Sequence, residues 1–206
     1  MKNDKIIKIL FSTPGVVNIS DKDDFEPQPG VFSSIYINLK TPLFYPKVRK
    51  ELATFVSKYI GENVDYICGI ESGGSYYASA VADLTNKKII LYRKERKKYN
   101  IKNNFVGNLP KNGDSVVIVD DVISSGNTIS SAVQQLKNTG CKVEAIILFS
   151  YCWDRQVAKN LNIKITTLSN AKELIKLGLI NGRISAHNAQ IIQDFIKREE
   201  SRLAKI

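Results

Sequence analysis

Apolar runs of strand length alternate along this chain with stretches of helical period, and this alternation limits the fold more than any other feature. Residues 66–70, 88–92, 116–120, 143–150 and 163–167 are rich in β-branched and aromatic side chains and read as strands. Residues 75–84, 128–138 and 154–160, between them, read as helices. Such an order builds a mainly parallel sheet flanked by helices, an α/β fold. Upstream, Pro46 is suited to open a helix whose stripe is Val48, Leu52, Phe55, Val56 and Tyr59. Residues 31–38 look like an added strand, the first ten residues like a short helix, and the tail from Ala171 like two helices joined around Gly182. No repeat, low-complexity linker or compositional break divides the 206 residues, so one domain spanning 1–206 is expected.

In sheets of this kind ligands bind outside the carboxyl ends of the strands. Three loops meet there: Glu71, Ser72, Gly73 and Gly74; the segment from Arg93 onward; and Ser124, Ser125, Gly126, Asn127 and Thr128. The last follows "VVIVDD", an apolar run ending in two adjacent aspartates, Asp120 and Asp121. Like charges repel, and carboxylates are costly to bury without partners. A phosphorylated sugar answers both features. Its hydroxyls donate to the aspartates, while small residues and a helix start offer backbone N–H groups and hydroxyls to its phosphate. A plain strand with an Asp-rich turn is the competing reading. No Gly-Lys-Ser/Thr follows, so this is not a Walker loop.

The remaining composition narrows the class. No segment approaches the ~20 apolar residues of a membrane span, and the N-terminus lacks the pattern of a signal peptide. Cys68, Cys141 and Cys152 are not in metal-type spacing, which suits a reducing, cytoplasmic compartment. The formal net charge of +10 comes from lysines scattered as solvating charges, so a nucleic-acid partner is not expected. His187 reads as a surface or packing residue, and Trp153 as core or rim packing.

The 13-residue stretch "VVIVDDVISSGNT" resembles the phosphoribosyl pyrophosphate motif of type I phosphoribosyltransferases. The resemblance implies that Asp120 and Asp121 bind the ribose hydroxyls and that Ser124 to Thr128 cradle the 5-phosphate. "YRKERKKYNIKNNFVG" is similar to the catalytic loop of orotate phosphoribosyltransferases. It implies that Arg93, Lys94 and Lys97 bind pyrophosphate, with Arg93 and Lys97 acting in the neighbouring subunit of a homodimer with shared sites, and Tyr99 beside them. "GIESGGSYYASAVADL" resembles the pyrophosphate loop, with Glu71 to Gly74 offering backbone amides. "PGVFSSIYINLK" resembles an N-terminal hood, formed by about residues 1–40 and parts of the C-terminal region, in which Tyr36 and Ile37 flank the base. "SYCWDRQ" resembles the segment carrying a base-binding arginine, Arg155, whose guanidinium suits a carboxylated base such as orotate.

The resemblance further implies magnesium, held by the ligand's oxygens more than by side chains, so no metal ligand is named. Three positions depart from the family pattern. Tyr99 and Asn100 stand where histidine and glycine are common, and Gln28 where lysine is. They leave open a transferase for another base, or a non-catalytic nucleotide sensor on the same fold.

Overall fold

The computed structural model describes residues 4–28, 31–94 and 104–203. In chain order the elements are α1 (Asp4–Ser12), β1 (Val17–Ile19), β2 (Phe25–Gln28), β3 (Val31–Ser33), β4 (Ile35–Ile37), a 3-10 turn (Thr41–Phe44) and α2 (Pro46–Ser57). There follow β5 (Tyr66–Ile70), α3 (Gly73–Thr85), β6 (Lys88–Tyr92), β7 (Phe105–Val106), β8 (Ser115–Ile123) and α4 (Asn127–Lys137). The chain continues with β9 (Lys142–Ser150), α5 (Asp154–Leu161), β10 (Ile165–Thr167), α6 (Ala171–Ile180) and α7 (Ala186–Leu203).

Apolar runs pair as buried strands: every residue of β5 is buried, as are Val116 to Val119 of β8. They form a six-stranded sheet in the order β10-β9-β8-β5-β6-β7, parallel except for β7 at the edge. From β5 the chain turns to one side to make β6, then crosses to the other side of β5 to make β8, β9 and β10. The order therefore reverses between β5 and β8, whose carboxyl ends diverge into a crevice. Around the sheet, α2 packs on α3 and α3 on β5 and β8, while α4 meets β9 and α5.

Two further antiparallel pairs, β1 with β4 and β2 with β3, make up the N-terminal hood. The expected strand over residues 31–38 is thus two strands with different partners. The break lies at Ser33, whose hydroxyl donates to the Ile35 carbonyl at 2.6 Å and accepts from the Ile35 N–H at 3.1 Å, displacing ladder bonds. The hood rests on the C-terminal helix. Arg198 of α7 grips Asp23 with two hydrogen bonds of 2.8 Å, and His187 Nε2 lies 2.9 Å from Asp21 Oδ1. His187 is accordingly a surface residue with a docking contact, and Trp153 is buried.

β5 and β6 have the expected limits, and the other long strands and helices of the sheet layers differ from expectation by one to three residues. β10 begins at Ile165 because the end of α5 claims Ile163: Asn162 is left-handed at φ 47° and Ile163 N–H returns to the Ala158 carbonyl at 3.2 Å, a Schellman closure. β8 runs on to Ile123, where the sequence reading stopped at Asp120. Val122 and Ile123 still pair with Phe149 and Ser150 of β9, so both aspartates lie inside the strand. No helix among the described residues is long and apolar enough to cross a membrane.

Candidate active site

The crevice between β5 and β8 opens into a cleft of about 450 Å³. Asp120 and Asp121 line it, adjacent on β8 and each half-buried. Each carboxylate is held locally. Asp120 Oδ1 accepts from the Asp121 N–H at 2.9 Å, and Asp121 Oδ1 accepts from the Val122 N–H at 2.9 Å. Burial pushes the Asp120 carboxyl well above the usual range, the neighbouring Asp121 charge adds to the rise, and Lys40 opposes it. The cleft therefore holds an acidic pair under electrostatic stress, suited to accept hydrogen bonds from hydroxyls or to face a cation.

The loop after β5 lies directly against this pair, which explains its two glycines. A Cβ at Gly73 would stand 1.9 Å from Asp121 Oδ2, and one at Gly74 would stand 2.7 Å from Asp120 Oδ1 and from the Val119 carbonyl. Any side chain there would displace the carboxylates. The sequence alone allowed a tight turn as reason enough for Gly-Gly; the contact with β8 is the stronger reason.

Two helices start at the cleft, α3 at Gly73 and α4 at Asn127, and neither has a side-chain cap. Their first-turn N–H groups and positive dipole ends are suited to anions. Gly126, at φ 77°, sets the turn into α4 and packs against Val157. Glu71, Ser72 and Gly73 line one end of the cleft, and Ser124, Ser125, Asn127 and Thr128 another. The hood closes a third side with Tyr36 and Ile37.

Lys94 joins the lining. Arg93 follows β6, half-buried, with its N–H donating to the Asn104 carbonyl at 2.8 Å, and is not part of the lining. Lys97 and Tyr99, with Asn100, fall outside the described residues. Arg155 is exposed in the first turn of α5 and is not among the lining residues.

The structure adds residues that the sequence reading passed over. Asn38, Leu39 and Lys40 continue the hood into the cleft, and Tyr151 stands opposite them. The Tyr151 hydroxyl accepts from the Ile37 N–H at 3.0 Å, and its ring makes edge contacts with Phe149 and Phe195, centroids 5.3 and 5.8 Å away. Burial pushes its phenol pKa up, so it stays a neutral donor and acceptor. A "SY" pair at a strand end carries no sequence signal for such a role.

Residues 38–173 match the phosphoribosyl transferase domain family, a span that holds the cleft lining except Tyr36 and Ile37. An orotate phosphoribosyltransferase of Fusobacterium nucleatum is 32% identical over 202 residues, covering 95% of each chain. The chain belongs to the orotate phosphoribosyltransferase family. An orotate phosphoribosyltransferase of Listeria innocua is 30% identical over 200 residues, 94% of this chain and 92% of its own. Among solved structures, the orotate phosphoribosyltransferase of Aeropyrum pernix superposes with a TM-score of 0.69 at 25% identity, covering 84% of this chain and 98% of its own. UMP synthase of Leishmania donovani reaches 0.78 at 24% identity, covering 96% of this chain and 43% of its own, and shares the fold. The sheet and hood are therefore those of a type I phosphoribosyltransferase.

Proposed function

We propose that this chain transfers ribose 5-phosphate from phosphoribosyl pyrophosphate to orotate, giving orotidine 5′-monophosphate and pyrophosphate in pyrimidine nucleotide synthesis. One observation carries the reading: a pair of strand-borne carboxylates sits between two uncapped helix starts in the crevice where the strand order reverses. In this reading Asp120 and Asp121 accept from the ribose hydroxyls. The 5-phosphate lies on the Ser124–Thr128 turn, and the diphosphate on the amides of Glu71 to Gly74. The base lies under the hood, between Tyr36, Ile37 and Tyr151.

The reaction is a displacement at C1 of the ribose. The C1–oxygen bond breaks with its electron pair leaving on pyrophosphate, and a ring nitrogen of the base, its proton released to water, forms the new bond. The protein does no covalent work; it positions the reactants and neutralises the leaving group. Lys94, with Arg93 and Lys97, supplies cationic help to the leaving group.

Magnesium fits this donor set as a shared ligand. Asp120 and Asp121 bring carboxylate oxygens, and the described residues contain no cluster of three or more metal-binding side chains. Asp120 and Asp121 would hold such an ion only in part, together with oxygens of the bound ligand. When bound, the ion neutralises diphosphate charge. The working unit in this reading is a homodimer with shared sites, in the cytoplasm, where the free thiols Cys68, Cys141 and Cys152 stay reduced.

Incubation with phosphoribosyl pyrophosphate, magnesium and single bases tests the substrate. Orotate is expected to be consumed, with uracil, adenine and hypoxanthine inert. Turnover of a purine without turnover of orotate would move the chain to another base.

A further inference from the structure

The hood carries a cation into the cleft. Lys40 lines the cleft just after β4, and its backbone is fixed on both sides. Its N–H donates to Asn38 Oδ1 at 3.2 Å, and its carbonyl accepts from the Leu43 N–H at 3.1 Å. The preceding carbonyl, of Leu39, accepts from the buried Tyr77 hydroxyl at 2.7 Å. Tyr77 belongs to α3, the helix that grows directly out of the Glu71–Gly74 loop. One helix therefore fixes both the loop and the backbone that bears Lys40.

The ammonium is close enough to Asp120 to oppose the rise of that carboxyl's pKa, and Asp120 Oδ1 is the atom packed against Gly74. Among the described residues that line the cleft, the carboxylates are Glu71, Asp120 and Asp121, and the cations are Lys40 and Lys94. A ligand with a phosphate at one end and a diphosphate at the other brings several negative charges into this already acidic space. Two ammonium groups beside three carboxylates leave the cleft short of positive charge for such a ligand, so each cation on its lining counts.

We propose that Lys40 is a diphosphate-binding residue, its ammonium holding the leaving pyrophosphate from the hood side, opposite the Glu71–Gly74 loop. This assignment rests on the transferase reading. Negative charge grows on the leaving oxygens as the C1–oxygen bond breaks, so a pre-positioned ammonium counts for more in the transition state than in the ground state. Lys40 stays protonated throughout and exchanges no atom.

Titration calorimetry with three ligands, in the presence of magnesium, separates this role from a structural one. Lys40→Ala is expected to weaken phosphoribosyl pyrophosphate and inorganic pyrophosphate by about tenfold or more, while ribose 5-phosphate, which lacks the diphosphate, changes by less than about twofold. Lys40→Arg should restore most of the loss, and the orotate KM should not move. The side chain is exposed, so both variants are expected to melt like the wild type. Unchanged affinity for phosphoribosyl pyrophosphate would overturn the assignment, as would an equal loss for ribose 5-phosphate. Wild-type protein that fails to bind phosphoribosyl pyrophosphate at all would instead defeat the transferase reading, and the assignment with it.

Discussion

Asp120 is where this chain accepts instability for function. Its carboxyl pKa stands above the unfolded value of ~3.9, so the folded protein binds that proton more tightly than the unfolded chain does. Stability from this group is therefore greatest near pH ~4 and is lost as pH rises through the folded value. Asp120→Asn removes the charge and keeps an oxygen able to accept from the Asp121 N–H. The ligand-free variant is expected to melt higher than wild type at pH 8, with the gain shrinking on acidification towards pH ~4. Thermal melts at both pH values check this; a variant that melts lower at pH 8 would show the carboxylate to be stabilising. The acidic pair itself was legible in the sequence, because two aspartates at the end of an apolar run have few structural uses. Their contact with Gly73 and Gly74 was not, since it joins a strand and a helix start nearly fifty residues apart whose meeting depends on the order reversal at β5 and β8.

At the scale of elements, α7 helps to hold the hood through Arg198 and His187. The Arg198 fork on Asp23 lowers that carboxyl's pKa, chiefly through the hydrogen bonds, with Ser34 adding another. Because the folded pKa lies below the unfolded one, this stability is present above pH ~4 and is lost as pH falls through the folded value. Both side chains are partly exposed, so the pair contributes no more than about 1 kcal/mol. Arg198→Ala should lower Tm by ~2–4 °C at pH 7, and wild type and variant should converge below pH ~4. A constant gap across that range would assign the loss to packing of Arg198 on Phe195 instead. The long buried strands and amphipathic helices could be read from periodicity, whereas β1, β2 and β7 could not. Each has four residues or fewer, too few for a period to show. Ser33 divided a run that periodicity joined, by a bond between side chain and backbone that no hydrophobic pattern reveals.

For the whole molecule, the alternation of strands and helices was sufficient to specify the parallel sheet and hence the end at which ligands bind. The entry of Lys40 and Tyr151 into the cleft depends on how the hood sits over that end, which is a tertiary matter. Shared sites in a dimer make a further prediction. Lys97→Ala and Asp121→Asn chains, each inactive alone, should regain part of the activity when mixed, because some mixed dimers hold one intact composite site. No recovery after demonstrated subunit exchange would put the loop in its own subunit's site. The central claim is that ribose transfer to orotate takes place over the acidic pair. Loss of orotate absorbance, dependent on phosphoribosyl pyrophosphate and magnesium, tests it directly in the wild type and in the Asp120→Asn, Asp121→Asn double variant. The wild type is expected to consume orotate, while the double variant, folded and melting no lower, does not. A wild type that leaves orotate untouched, or a double variant that consumes it at the wild-type rate, would contradict the account.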